Sequence, residues 1–247
     1  MKRSTISPAI ASILVNAIYA MVNYPIVLIS TLLAPFAFLI IITFVSQGTL
    51  LPIAIGGALI MTMIAAGTSL QGDLSHLKND FKMQDMVVSS PTTARQYLIG
   101  MSLSEVVYSL PALAVLAILA AVYVHATLAG YIEIIIVMVL VFTFSVSLGF
   151  FLSTLTTDVI QSWAFSGIVS TVLSALPPVY YPITYIPLPF RYLAYLSPAT
   201  YAAEIVQSLS GYGSFSQFTI ALDWIVIIAV AVVMALIAIK RSKWRED

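Results

Sequence analysis

The chain has 247 residues, 61% of them hydrophobic and 8% charged, with a formal net charge of zero, whereas an ordinary soluble domain carries about 45–50% and 25%. So apolar a chain lacks the charged surface that a water-soluble fold needs, and bilayer spans with short connections take up its length, leaving no room for a separate soluble domain of about 100 residues. Cysteine is absent, which excludes disulfides, thiolate metal sites and cysteine nucleophiles.

Residues 4–23 set Ile6, Ile10, Ile13, Leu14, Ala17, Ile18 and Met21 at helical spacing opposite Ser12, Asn16, Tyr19 and Asn23. This pattern predicts an amphipathic helix lying in the membrane interface. A signal peptide is the rival reading, because Lys2 and Arg3 precede an apolar stretch; Asn16 and Asn23 interrupt that stretch, and a full span follows at once.

Six apolar runs follow, each close to the about 20 residues that cross the hydrocarbon core. They are predicted over Ile26–Val45, Leu50–Leu70, Leu98–Val124, Ile132–Leu155, Trp163–Val179 and Thr219–Ile239. The connection between the first two is so short that they form a helical hairpin, and Pro35 is expected to kink the first. An even number of spans places both termini on one side. Lys2, Arg3, Lys78, Lys82, Arg95, Lys240, Arg241, Lys243 and Arg245 then share the cytoplasmic side, nine of the ten basic residues, and only Arg191 lies outside. No repeat relates the two halves, which weakens the case for an inverted-repeat carrier.

Two segments are too distinctive to be plain connections. Residues 71–97 hold Asp73, His76, Lys78, Asp80, Lys82, Asp85 and Arg95, and Leu74, Leu77, Phe81 and Met86 can share a helical face. A short helix along the cytoplasmic surface is expected here, with Ser90 before Pro91 resembling the cap of the third span. The bland reading is a charged loop that solvates the membrane edge; the functional one is a docking surface. Residues 180–218 are too apolar for a free loop, and five prolines from Pro178 to Pro198 forbid a continuous helix. Short helices over Phe190–Leu196 and Thr200–Leu209 are predicted, forming a re-entrant hairpin covered by protein or facing a cavity.

These segments resemble those of the type-2 family of ATP-binding-cassette (ABC) exporter permeases. Asp85-Met86-Val87-Val88-Ser89-Ser90-Pro91, running on to Arg95, Leu98 and Gly100, is similar to the family's acidic-hydrophobic-then-Ser/Thr-Pro pattern. Tyr181-Pro182, Pro187, Leu196-Ser197-Pro198 and Thr200-Tyr201 follow the family's order after span five. Lys82-Met83 departs from the small pair common there, and Gln207 stands near where an Arg often ends the hairpin. The resemblance implies an all-α integral membrane protein in which residues 1–247 form a single transmembrane permease domain. It would comprise an N-terminal interfacial elbow helix, six transmembrane helices, a cytoplasmic coupling helix and an extracellular re-entrant hairpin.

The implied mechanism is alternating access in a multi-pass protein of the cell membrane. Its implied partners are two copies of a cytoplasmic ABC ATPase, a second permease chain, identical or similar, and membrane lipid, with no nucleic acid. No cofactor is expected in this chain: ATP and Mg belong to the ATPase, because no GxxxxGK[ST] stretch is present and no glycine precedes a lysine. Asp80, Phe81, Asp85 and Met86 are the implied ATPase contacts, with Arg95 as a partner for an acidic group.

Among single residues, Glu105 sits inside the third span, where ionisable groups are rare, and is a candidate for transport or gating; the alternatives are a pair with Arg95 or a hydrogen bond to a Ser or Tyr of another span. Arg191 and Glu204 are candidates for a pair closing the outer side, worth about 0–1 kcal/mol if exposed. Tyr181 and Tyr185, with Tyr180 and Tyr192, form either an aromatic rim for substrate or an ordinary interfacial belt. Glu133, Asp158 and Asp223 read as acids at helix N-termini. Gly56, Gly57, Gly67 and Gly149 read as close-packing sites. His76 and His125 fall on opposite sides and cannot share a metal or catalytic site. So few charges along the path point to an amphipathic, apolar or neutral substrate: a drug, lipid, peptide or saccharide. The rival functions are an ion-coupled carrier or channel, which needs no ATPase, and a membrane enzyme, for which no cluster of polar catalytic groups is found.

Overall fold

The computed structural model describes residues 8–79, 94–156, 158–213 and 215–241, and among them every regular element is helical. The chain begins with α1 (Pro8–Ile13), a π-helical stretch (Leu14–Ile18) and α2 (Tyr19–Asn23). Then come α3 (Ile26–Val45), α4 (Leu51–Asn79), α5 (Ala94–Tyr123), α6 (Leu128–Ser153) and α7 (Val159–Ala175). Two short helices, α8 (Phe190–Ala194) and α9 (Pro198–Leu209), precede α10 (Gln217–Arg241).

Four stretches are long and apolar enough to cross a bilayer: Leu51–Leu74, Ile99–Tyr123, Leu128–Ser153 and Gln217–Lys240. The first and fifth predicted runs form shorter apolar helical stretches, Thr31–Val45 and Ile160–Leu173. The fifth helix starts at Val159 rather than Trp163 because Asp158 caps it, its carboxylate accepting from the Gln161 backbone at 2.7 Å. It stops before Pro177-Pro178, where backbone donors run out. Thr127 likewise starts α6 four residues before the predicted Ile132, accepting from Gly130 N at 3.1 Å. Helix α3 continues through Pro35.

Residues 71–79 correct one expectation. They do not begin a separate surface helix but prolong α4 to Asn79. The cause is burial: Leu70 and Gln71 are both wholly buried and Leu74 nearly so, which holds the backbone helical beyond the apolar run. Phe81, Asp85, Met86 and the Ser90-Pro91 cap lie outside the described residues.

Helix α4 is the hub. Of its apolar window 83% is buried, against 17–39% for the other three long helices, and it packs on α3, α5, α6, α7 and α9. Glycine makes the closest approaches possible. A Cβ on Gly67 would meet Ser145 and stand 2.6 Å from the backbone nitrogen of Val146, and one on Gly149 would stand 2.6 Å from the Gly67 carbonyl. Small residues let α4 and α6 touch backbone to backbone, as membrane helices do where lipid provides no driving force for association.

Hydroxyls and an amide fasten α4 to α7. Gln71 Nε2 donates to Ser162 O at 3.1 Å, Ser162 Oγ to Gln71 O at 3.2 Å, and Ser166 Oγ to Thr68 O at 3.3 Å. The N-terminal helix docks on α5 through its polar side. Asn16 Nδ2 reaches Met101 Sδ at 3.2 Å, and Ser12 stands over Gly100, while Ile10, Leu14 and Ile18 point outward.

Gly67→Ala is expected to lower stability by about 1–3 kcal/mol through overpacking against α6. Gly167→Ala on α7, where a Cβ meets nothing within 4 Å, should be neutral or stabilising by up to about 1 kcal/mol. Thermal melting of the detergent-solubilised protein checks the pair.

Candidate functional site: a cavity walled by three helices

A cavity of about 230 Å³ lies between α3, α4 and α5. Its walls are mostly apolar: Pro35 and Phe38 from α3, Met61, Ala65 and Ala66 from α4, and Ala112 from α5. Tyr180, from the connection after α7, closes one side and stacks on Phe38 with ring centroids 5.4 Å apart. Burial raises the Tyr180 phenol above its ordinary range, so it faces the cavity as a neutral group.

Polar groups are set among these walls. Thr31 comes from α3, Thr62 and Ser69 from α4, and Glu105, Tyr108 and Ser109 from α5. Ser69 Oγ donates to Glu105 Oε2 at 2.6 Å. Asp73, one turn beyond Ser69 on α4, hydrogen-bonds the Glu105 side chain, and Tyr108 is within electrostatic reach of both carboxyls. Glu105 is 7% exposed and directed at its neighbours in the bundle. The arrangement offers mostly apolar walls with hydroxyls and a carboxyl among them, the usual make-up of a small-molecule pocket.

Glu105 is thus met by the expected serine of another span. Arg95 lies on α5, two turns or more before Glu105. Asp80, Phe81, Asp85 and Met86 lie outside the described residues. Ser69, Asp73 and Tyr108 were not singled out as site residues. Thr62, Ser69 and Asp73 follow one helical face at separations of seven and four, and that pattern was the available signal.

The other candidates form a second region. Tyr181 and Tyr185 line an open depression of about 490 Å³ with Leu176, Pro187, Phe190 and Leu193. Arg191 and Glu204 do not pair. The Arg191 guanidinium donates to the carbonyls of Thr184 and Ile186 at 3.2 and 3.1 Å, while Glu204 Oε1 accepts from the Tyr195 hydroxyl at 3.0 Å. Thr184 and Ile186 lie in the connection before α8, where no helix bonds their carbonyls, and the Arg191 guanidinium serves as the donor instead. Asp223 is not a solvated acid at a helix start either: it is 1% exposed, and its side chain hydrogen-bonds Glu204. Helix α9 buries Ala199 to Gln207 save for Tyr201, which is partly covered, and Gln207 Nε2 holds the preceding connection by donating to Pro178 O and Tyr181 O at 3.1 and 3.3 Å.

A bundle of apolar helices, four of them long enough to cross a bilayer, defines a multi-pass membrane protein. The chain belongs to the ABC-2 type transporter family, whose profile matches residues 8–209. It is accordingly the membrane component of an ABC-type transporter, in a family that works with a cytoplasmic ABC ATPase. No curated protein matches the chain.

Gln207→Leu preserves volume but leaves two buried carbonyls without their donor. It should cost about 1–3 kcal/mol, whereas Ser208→Ala, which loses only a bond within its own helix to Ile205 O, should cost less. Chemical denaturation in detergent distinguishes them.

Proposed function

We propose that this chain is the permease subunit of an ATP-driven exporter that moves an amphipathic or neutral molecule through the cavity between α3, α4 and α5. The observation that carries the reading is continuity. Helix α4 provides Met61, Thr62, Ala65, Ala66 and Ser69 to the cavity wall and runs unbroken to Asn79, directly before the segment expected to meet the ATPase.

In this reading six helices cross the membrane, α3 to α7 and α10, with both termini in the cytoplasm. Helix α7, at 17 residues, sits at the lower limit of the about 17–25 that suffice. The N-terminal helix is the interfacial elbow, its outward Ile10, Leu14 and Ile18 entering lipid. Helices α8 and α9 form the extracellular hairpin, two ATPase copies sit beneath two permease chains, and residues 80–93 transmit the push. The cavity's apolar walls would hold a drug-like or lipid-like body, and Ser69, Tyr108 and Glu105 would orient its polar end.

The ion-coupled alternative has its own support in the juxtaposed carboxyls of Asp73 and Glu105. Uptake of an amphipathic dye into inverted vesicles holding the permease and its ATPase decides between them. Uptake is expected to stop on ATP depletion, and uptake that survives depletion establishes the carrier instead. Ala65→Trp, which fills much of the cavity, should cut uptake roughly tenfold or more, about 1.4 kcal/mol, while basal hydrolysis continues. Asp85→Lys should leave the permease folded and hydrolysis running but break its coupling to uptake; unchanged coupling shows that the docking surface lies elsewhere.

A further inference from the structure

Glu204 on α9 and Asp223 on α10 are both 1% exposed, and their side chains hydrogen-bond each other where the two helices pack. Glu204 has one outside donor, the Tyr195 hydroxyl on Oε1. Its other oxygen, Oε2, and Asp223 Oδ2 are wholly buried and receive no donor from the protein. An ionised carboxylate only accepts hydrogen bonds, so two of them set against each other cannot satisfy one another. The bond between them requires a hydrogen that neither ion carries.

Among the described residues no cation is placed against the pair. Arg191 is engaged by the Thr184 and Ile186 carbonyls. The part of α4 facing α9 carries no ionisable side chain between Leu51 and Leu70. Helix α6 brings Glu133, a further acid, and Tyr131, whose hydroxyl donates to Ala120 O. Tyr201 of α9 donates to Tyr195 O at 2.9 Å. Among the described residues no third His, Cys, Asp or Glu joins the pair in a metal-holding group. Asp73 and Glu105 form a second carboxyl pair, set beside the cavity, with Ser69 donating to Glu105.

We propose that Glu204 and Asp223 form a proton-binding site: one proton held between the two carboxyls fastens α9 to α10, and its loss sets two buried like charges against each other and releases the clamp. The site takes a proton rather than a larger ligand because the two carboxyls already bond each other directly and both are 1% exposed. Burial holds the Glu204 carboxyl above the ordinary carboxylate range, the bonds from Tyr195 and Asp223 offsetting this only in part. Burial, with Glu204 alongside, pushes the Tyr195 phenol up to about 12, so it remains a donor throughout. A carboxyl raised in the folded state stabilises below its unfolded value, and that contribution is lost as pH rises through the folded one. The clamp is therefore closed in acid and opens toward alkaline pH.

Infrared difference spectra and melting curves of the purified full-length protein across pH 5–9 test this. Wild type is expected to show a protonated carboxylic acid band that vanishes as pH rises, with the folding constant falling up to tenfold per pH unit for the one proton. In E204Q and D223N an amide supplies the permanent donor, so the wild-type-minus-variant spectrum isolates the band of this pair, the signal of Asp73 and Glu105 cancelling, and this part of the pH dependence flattens. A wild-type-minus-variant spectrum without that band for both variants, or melting whose pH dependence matches wild type in both, overturns the proposal. If neither variant folds, wild type alone decides: stabilisation by added Na⁺ or Ca²⁺ at fixed pH, without a response to pH itself, overturns it too, and a response to pH alone supports it.

Discussion

A polar side chain inside an apolar bundle has no water to fall back on, so it bonds a carbonyl of its own helix or, where it reaches further, a partner on another. That constraint organises this protein around α4. Thr68 and Gln71 meet α7, and Ser69 and Asp73 meet Glu105 of α5. On the side facing α6 the glycines take over, letting Gly67 and Gly149 bring two backbones together. Each neighbour is held by chemistry that only α4 provides, which is why one helix is mostly covered and the others keep broad apolar faces outward.

The same constraint separates two regions of differing character. The cavity between α3, α4 and α5 sets hydroxyls and the Glu105 carboxyl among mostly apolar walls. The α8–α9 region is an irregular backbone tied by side chains: Gln207 and Arg191 bond four carbonyls that no helix satisfies, and the Thr200 hydroxyl donates to Ala194 O. Tyr180 belongs to both, since it leads into the hairpin in sequence and closes the cavity in space.

Much of this was legible in the residues. Apolar runs marked the long helices because length and hydropathy suffice for that, and Asp158 announced the start of α7 by the capping chemistry of short acids. Prolines placed the two short helices near Phe190 and Thr200, since a missing donor is a local property. What stayed hidden depends on distant partners. The extension of α4 past Leu70 rests on burial of Gln71 against Ser162, ninety-one positions away. Asp223 resembles any acid early in a helix until α9 covers it, and Glu204 resembles a natural mate for Arg191 until main-chain oxygens claim the guanidinium.

Helix α4 is 29 residues without a break, a rod roughly 44 Å long. Gly57 near one end would collide with the Val179 carbonyl if it bore a side chain, and Gly56 lies against Val206, while Ser69 and Asp73 near the other end grip α5. In the proposed transporter a beam seated at both ends would carry a displacement of its foot to whatever its head touches.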